Sequence, residues 1–393
     1  MRGQGVLSFC CAAACVLLPA GTGGAADRVS VSVGYDTPAA LAGLDVRAKI
    51  APLRVAEVTT TDVAALRHRP GIRWVRPTVA RQRLGRSLSA ARRAAAEWEF
   101  TATHADLVPA AVLRAASRIT IAVVDTGADL RAPDIAAKAP TTHNAVTGGA
   151  AVRDVTGHGT FVASVAAGSV AEGGVLRGFG GDARLMIVQA SRGNDVFDDV
   201  DEAAGIVWAV NHRARIVNLS IGGASTSRVE KKAIRYALDH GVLVVAAAGN
   251  TGDGGNVTSY PAALLGSRGL AVAASTPTGA RASFSTAAPY VSLAAPGVHV
   301  LGATTAAAPT DTFARASLGA DGTYAYASGT SYSAPQVAGA AALVWAANPS
   351  LTRAGVIRVL EQTASGHGRW NRATGYGVLD VAAAVARARE SRR

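Results

Sequence analysis

Val29, Val31 and Val33 alternate with Arg28, Ser30 and Ser32, the two-residue period of a strand with one buried face. Val55 to Val58 reads as a second short strand. Thr60 or Thr61 is placed to cap a helix through Asp62 and Leu66, which Pro70-Gly71 stops. Ile72, Trp74 and Val75 then predict another strand. These pieces make a small α+β unit of about 55 residues, marginal alone because so short a chain buries little surface. From Arg81 to Arg93 the apolar period is lost and five arginines appear (Arg81, Arg83, Arg86, Arg92, Arg93), the composition of an exposed connector open to cleavage.

From Ile119 a different rhythm begins. Continuous apolar runs at Ile119–Val124, Leu185–Val188, Ile216–Leu219, Val242–Ala247 and Leu270–Ala273 alternate with helix-like stretches around Gly159–Ala167, Asp201–Asn211 and Arg228–His240. β-branched runs without a polar face, separated by helices, predict an α/β fold with a mainly parallel sheet covered by helices on both faces. Several strand ends carry Gly, Asp or Asn, the edge at which such folds hold ligands.

Composition fits this picture. Of 393 residues, 49% are apolar and 17% charged, enough for a large core and against general disorder. The net charge of +12 would suggest nucleic acid or an anionic membrane as partner, but its location argues otherwise. Up to residue 97 there are 14 Lys/Arg against 6 Asp/Glu, and beyond it 25 against 21. The excess lies at the front, and no nucleic-acid groove is expected on the main body. Arg2, the apolar run Val6–Leu18 and the small residues Gly21–Ala26 predict a signal peptide over 1–26 and an exported product without a transmembrane anchor. All three cysteines, Cys10, Cys11 and Cys15, fall inside it, so the remainder can form neither a disulfide nor a Cys-ligated metal site.

Three segments carry sharper chemistry. Ile121-Ala122-Val123-Val124-Asp125-Thr126-Gly127 is an apolar strand ending in a carboxylate; Asp154-Val155-Thr156-Gly157-His158-Gly159-Thr160 sets a His between glycines at a helix start; Ser328-Gly329-Thr330-Ser331-Tyr332-Ser333-Ala334-Pro335 sets a Ser at another. A Ser hydroxyl is a weak nucleophile until a base takes its proton, and the base needs a carboxylate to orient it. Asp125, His158 and Ser331 are those three parts. A fourth segment, Val244 to Asn250, is a buried strand ending in a side-chain amide, a donor suited to the oxyanion of a tetrahedral intermediate.

On these motifs, V-V-D-T-G, G-H-G-T and S-G-T-S-Y-S-A-P in the order Asp, His, Ser, the sequence resembles the subtilisin-like serine peptidases, or subtilases, over roughly residues 98–385. The resemblance implies a secreted serine endopeptidase made as a preproenzyme. Its parts would be a signal peptide (1–26), an inhibitor-type propeptide (27–80) that caps the site until cut, an Arg-rich linker holding the maturation cut (81–97) and a catalytic domain (98–393). It implies Asn250 and the Ser331 N–H as oxyanion donors. Ser220, Ile221 and Gly222 on one side and Ala247, Ala248 and Gly249 on the other would line the substrate pocket, with Ser259 near its base. An extended peptide would dock beside Ser220–Gly222 as an added strand. Protein or peptide substrates and the chain's own propeptide are the expected partners of a monomer. The competing reading within the family is a catalytically silent peptide binder.

Departures from the family pattern matter too. Phe161 stands where many members carry a second His, and Ala132-Pro133-Asp134 replaces a His-Pro-Asp sequence. The loop Gly168–Gly174 offers one carboxylate, far short of the six to eight oxygens calcium takes, so neither a metal nor another cofactor is expected. A nucleotide-binding protein needs G-x-G-x-x-G after the first strand, and an α/β-hydrolase needs G-x-S-x-G; neither is present at those points. Asp195, Asp198, Asp199, Asp201 and Glu202 form a dense acidic patch. It reads first as a helix start, where carboxylates suit the dipole, and second as a set of subsites favouring basic side chains.

Overall fold

The computed structural model describes residues 28–83, 97–169, 176–193, 196–316, 318 and 323–391. The predicted signal peptide, all three cysteines and residues 84–96 of the connector lie outside them, as do Asp195 and residues 170–174 of the loop considered for calcium.

In the front unit, β1 (Val29–Tyr35), β2 (Asp45–Ile50), β3 (Val55–Thr60) and β4 (Ile72–Pro77) form an antiparallel sheet in the order β2-β3-β1-β4. Helix α1 (Val63–His68) is capped by Asp62, whose Oδ1 accepts from Ala65 N at 2.8 Å. The cap is therefore one residue later than expected; Thr60 Oγ1 instead accepts from Asp62 N at 3.0 Å. Val31, Val33, Tyr35, Ala56, Val58 and Leu66 make the unit's own small core.

β5 (Ala80–Arg83) leaves that sheet for the main body, which continues with α2 (Trp98–Ala102), α3 (Ala110–Ala115), β6 (Thr120–Asp125), α4 (Pro133–Ala136), β7 (Thr141–Asn144), α5 (His158–Ala167), β8 (Arg184–Gln189), β9 (Val196–Asp198), α6 (Asp199–Asn211), β10 (Ile216–Leu219), β11 (Ile221–Gly222), α7 (Arg228–Asp239), β12 (Leu243–Ala247), β13 (Leu270–Ser275) and β14 (Leu293–Pro296). A small sheet of β15 (Val300–Ala303), β16 (Ala314–Arg315) and β17 (Tyr324–Ala327) precedes α8 (Thr330–Ala347), α9 (Arg353–Thr363) and α10 (Val381–Glu390).

Seven parallel strands run in the order β14-β13-β12-β10-β6-β8-β7. Both faces are covered, as their lack of polar alternation requires. On β6, Ile121 and Val123 enter a core shared with α5 and α8, while Ala122 and Val124 enter a core shared with α6 and α7. Helix α8 is buried on every side, the position a helix without a polar stripe must take.

The crossovers fix where function sits. From β8 through α6 to β10, and from β10 through α7 to β12, the chain steps the same way across the sheet with its helices on one face. From β7 through α5 to β8 it steps the same way with its helix on the opposite face. That crossover therefore has the opposite hand, a rare arrangement in parallel sheets, and it lays α5 against α8.

Glu99 in α2 is 2% exposed and accepts from Leu301 N at 3.4 Å, tying the start of the body to β15. Burial pushes its carboxyl up to about 8, so the folded state holds a proton there that the unfolded state releases from about pH 4.5 upwards. Its contribution is complete below about pH 4.5 and is lost as pH rises towards 8. Between those limits the melting temperature of the parent is expected to fall relative to Glu99→Gln, and thermal melts at half-unit pH steps would measure the divergence.

Candidate active site

β6 delivers Asp125 to the C-terminal edge of the sheet, and α5 begins at His158 beside it. His158 Nδ1 and Asp125 Oδ1 lie 2.7 Å apart, and both side chains are 0% exposed. Asp125 Oδ1 also accepts from Thr126 N at 2.7 Å, so the carboxylate is oriented by its own strand end. With Asp125 as acceptor, Nδ1 carries the proton and Nε2 is the basic end of the ring. Among the described residues Nε2 has no hydrogen-bond partner.

Ser331 lies in the first turn of α8, after Gly329 at φ +156°. Its hydroxyl donates to Ser220 O at 3.0 Å rather than to His158, and Ser220 Oγ donates back to Ser331 O at 2.8 Å. Asn218 Nδ2 in turn donates to Ser220 Oγ at 2.9 Å. The ring of the next residue, Tyr332, lies 5.7 Å from that of His158, centroid to centroid, so α5 and the start of α8 meet at the imidazole. Phe161, the departure one turn along α5, is buried against Tyr332 and Phe313.

Asn250 follows β12. Its Oδ1 accepts from Thr330 N at 3.0 Å and Thr330 Oγ1 at 2.9 Å. This holds the amide oxygen on Thr330, the residue that precedes Ser331. Gly249 takes φ +108°, and a Cβ there would stand 2.8 Å from Ser259 Cβ and from Thr286 Oγ1. Ser259 therefore lies against the wall formed by Ala247, Ala248 and Gly249, and Tyr290 OH clamps the two by donating to Ala248 O while accepting from Ser259 N, each at 3.0 Å. The other wall, Ser220 to Gly223, joins them through paired backbone bonds between Gly223 and Tyr260.

Sequence reasoning missed one organiser. Asp154, 5% exposed, accepts six hydrogen bonds: on Oδ1 from Thr126 Oγ1, Thr156 N, Thr156 Oγ1 and Gly157 N, and on Oδ2 from Thr160 N and Thr160 Oγ1, all between 2.7 and 3.3 Å. It locks the turn carrying His158 to the strand end carrying Asp125. Its only signal in the sequence was a carboxylate four residues ahead of a helix-start His.

The connector also differs from expectation. Its residues 81–83 lie in β5, the central strand of a three-stranded sheet, β11-β5-β9, and not in a structureless tether. β5 runs antiparallel to β11, with Arg83 opposite Ile221 and Gln82 opposite Gly222, and antiparallel to β9 on its other side. A segment of the chain itself thus occupies the groove beside Ser220–Gly222. Arg47 of the front unit donates to Asp201 Oδ1 at 2.8 Å and pairs with Glu57. Arg192 bonds Asp198 at 2.7 Å and Asp201 at 3.4 Å. Burial pushes the Asp201 carboxyl up while Arg47 and Arg192 pull it back. Ile50, Leu53 and Val55 extend this contact into the core beneath α6 and α7.

A family model described as the Subtilase family matches residues 116–377. The chain belongs to the subtilase family. It is accordingly a serine-type endopeptidase, a hydrolase. An alkaline protease of Alkalihalobacillus alcalophilus is 32% identical over 336 residues, covering 85% of this chain and 79% of that protein. Subtilisin Savinase of Lederbergia lenta is 35% identical over 269 residues, covering 68% of this chain and 91% of its own. Fervidolysin of Fervidobacterium pennivorans, a keratinolytic enzyme related to subtilisin, superposes with a TM-score of 0.76 at 25% identity over 92% of this chain, which spans 61% of that protein's length. No group of three or more His, Cys, Asp or Glu side chains placed to hold a metal occurs among the described residues. None of their helices is long and apolar enough to cross a membrane.

Removing Asp154 strands several buried donors at about 1–3 kcal/mol each before relaxation. In a Ser331→Ala background, which avoids self-digestion, Asp154→Ala is expected to lose about 2–4 kcal/mol of unfolding free energy in urea titrations. A loss below about 0.5 kcal/mol would remove the organising role.

Proposed function

We propose that this subtilase is an exported, self-maturing endopeptidase in which Asp125, His158 and Ser331 form the catalytic triad and Asn250 the oxyanion donor. The observation that carries the reading is the water-excluded hydrogen bond between His158 and Asp125, set beside the helix start that bears Ser331. A change of χ1 turns the Ser331 hydroxyl from Ser220 O towards His158 Nε2. Oγ then bonds to the scissile carbonyl carbon as its proton passes to Nε2, and Asp125 stabilises the imidazolium. Charge develops on the former carbonyl oxygen, where the Asn250 NH2 and the Ser331 N–H donate and the positive end of α8 adds its field. Collapse breaks the C–N bond and returns the proton to the leaving amine. Water repeats the sequence to release the acid.

The same reading makes residues 1–26 the export signal, residues 27–80 an inhibitor-type propeptide and residues 81–97 the segment cut on maturation. The antiparallel pairing of β5 with β11, the way an extended substrate adds a strand to a sheet edge, supports it, as does the interdomain pairing of Arg47 with Asp201. Ser220–Gly222 and Ala247–Gly249 bring no charge to the primary pocket, so a broad neutral preference is expected there.

Secreted wild-type protein is expected to begin within residues 81–98, whereas Ser331→Ala accumulates with residues 27–80 attached; N-terminal sequencing of both decides it, and an equally matured mutant sinks the proposal. Asn250→Ala is expected to lower kcat by about 10² to 10³, the range known for such a donor in subtilisin, with KM changed far less. Steady-state kinetics on a chromogenic peptide would measure it.

A further inference from the structure

Pro335 lies inside α8, beyond its first turn. In an α-helix the carbonyl of residue 331 accepts from the N–H of residue 335, and a proline has none to give. The sequence thus removes a helical bond from the carbonyl of the very residue that carries the candidate nucleophile. Ser331 is 0% exposed, and a buried main-chain carbonyl needs a donor. The fold supplies one from 111 residues away: Ser220 Oγ donates to Ser331 O at 2.8 Å.

Ser220 stands where the chain leaves β10 of the central sheet and enters β11 of the small one, and it too is 0% exposed. Its hydroxyl has a single proton, and the amide two residues earlier sets the direction of that proton. Asn218 Nδ2 donates to Ser220 Oγ at 2.9 Å, which fills an acceptor position and leaves the Ser220 proton for Ser331 O. Asn218 is 0% exposed in a strand otherwise made of Ile216, Val217 and Leu219. Ile216 enters the core shared with α8, while Val217 and Leu219 enter the other, so the two-residue period puts Asn218 on the α8 face. Among the described residues its Oδ1 has no hydrogen-bond partner. A half-satisfied amide in an apolar core is a cost, and the bond to Ser220 is what that position gains.

The next residues of α8 are held from the other direction. Ser333 Oγ and Gln336 Nε2 donate to Pro296 O at 3.1 and 2.7 Å, and Gln336 Nε2 also donates to Tyr332 O at 2.9 Å. These bonds tie Ser333 and Gln336 to the end of β14. Ser331 is tied instead to the end of β10.

We propose that Asn218 and Ser220 are positioning residues for Ser331: the amide aims the Ser220 hydroxyl, and the hydroxyl replaces the helical bond that Pro335 removes. This deepens the triad reading and rests on it. With the bond in place, the Ser331 N–H and Oγ keep their distances from Asn250 and from the imidazole. Without it the first turn of α8 is free to shift, and a displacement of about 1 Å costs roughly 10² in rate. The bond does not touch the substrate, so its loss falls on kcat and not on KM.

The test is a double-substitution cycle on the mature enzyme with a chromogenic peptide, the active fraction being counted by burst titration. Ser220→Ala is expected to lower kcat by about 10- to 100-fold, with KM within about threefold of the parent. Pro335→Ala returns an N–H to position 335. In that background Ser220→Ala should lower kcat by no more than about threefold, a coupling that loss of packing alone does not produce. Asn218→Ala should follow the same pattern with a smaller loss of about 3- to 10-fold, the scale of one neutral hydrogen bond, and it is read in place of Ser220→Ala should that variant fail to fold. Where a variant accumulates uncut, the rate at which its full chain matures replaces kcat in the comparison. Equal losses with and without Pro335, losses below about twofold in both variants, or a rise in KM at constant kcat overturn the positioning role and leave the peptidase reading intact. Unfolding of both variants overturns it as well. Wild-type enzyme that cuts neither the peptide nor casein ends the peptidase reading, and the proposal with it.

Discussion

A hydrogen bond sealed from water between Asp125 and His158 is the contact around which the site is built. Neither partner can be buried cheaply without the other, and the carboxylate needs further donors to stay in place. Thr126 N supplies one directly. Asp154 supplies the rest of the scaffold by holding Thr126, Thr156, Gly157 and Thr160 at once. Gly159 is needed for the same reason, since a Cβ there would stand 2.2 Å from Gly127 O. The closeness of strand end and helix start leaves no room for a side chain.

The meeting of His158 and α8 also depends on chain direction. Ser331 sits on α8, deep in one face of the sheet, and the opposite-handed crossover lays α5 on that same face. With the common hand, α5 would lie with α6 and α7, and His158 would approach from the far side of the sheet. The uncommon connection thus brings both helix starts to one point of the sheet edge.

The front unit attaches to the body by strand addition. β5 completes a sheet between β9 and β11, so backbone hydrogen bonds supply attachment regardless of sequence. Side-chain contacts add selectivity: apolar packing of Ile50, Leu53 and Val55 on the α6 and α7 side, and the ion pairs of Arg47. A unit too small to hold a large core of its own gains stability from this shared one.

The sequence by itself determined the parallel sheet and the subtilase family, and brought forward Asp125, His158, Ser331 and Asn250 as candidates, because strand periodicity, strand-end carboxylates and helix-start Gly-His and Ser motifs are local signals. β2 was missed although Val46, Ala48 and Ile50 alternate with charges, and β5 was taken for a tether because arginine-rich segments read as solvated when their partners are unknown. Asp154 stood in the segment quoted for His158 without a role of its own. Only the tertiary structure decided those roles. Which strand pairs with β11, which donors gather on Asp154 and which face carries α5 all depend on pairings between residues far apart in the chain, and no local pattern encodes such distances.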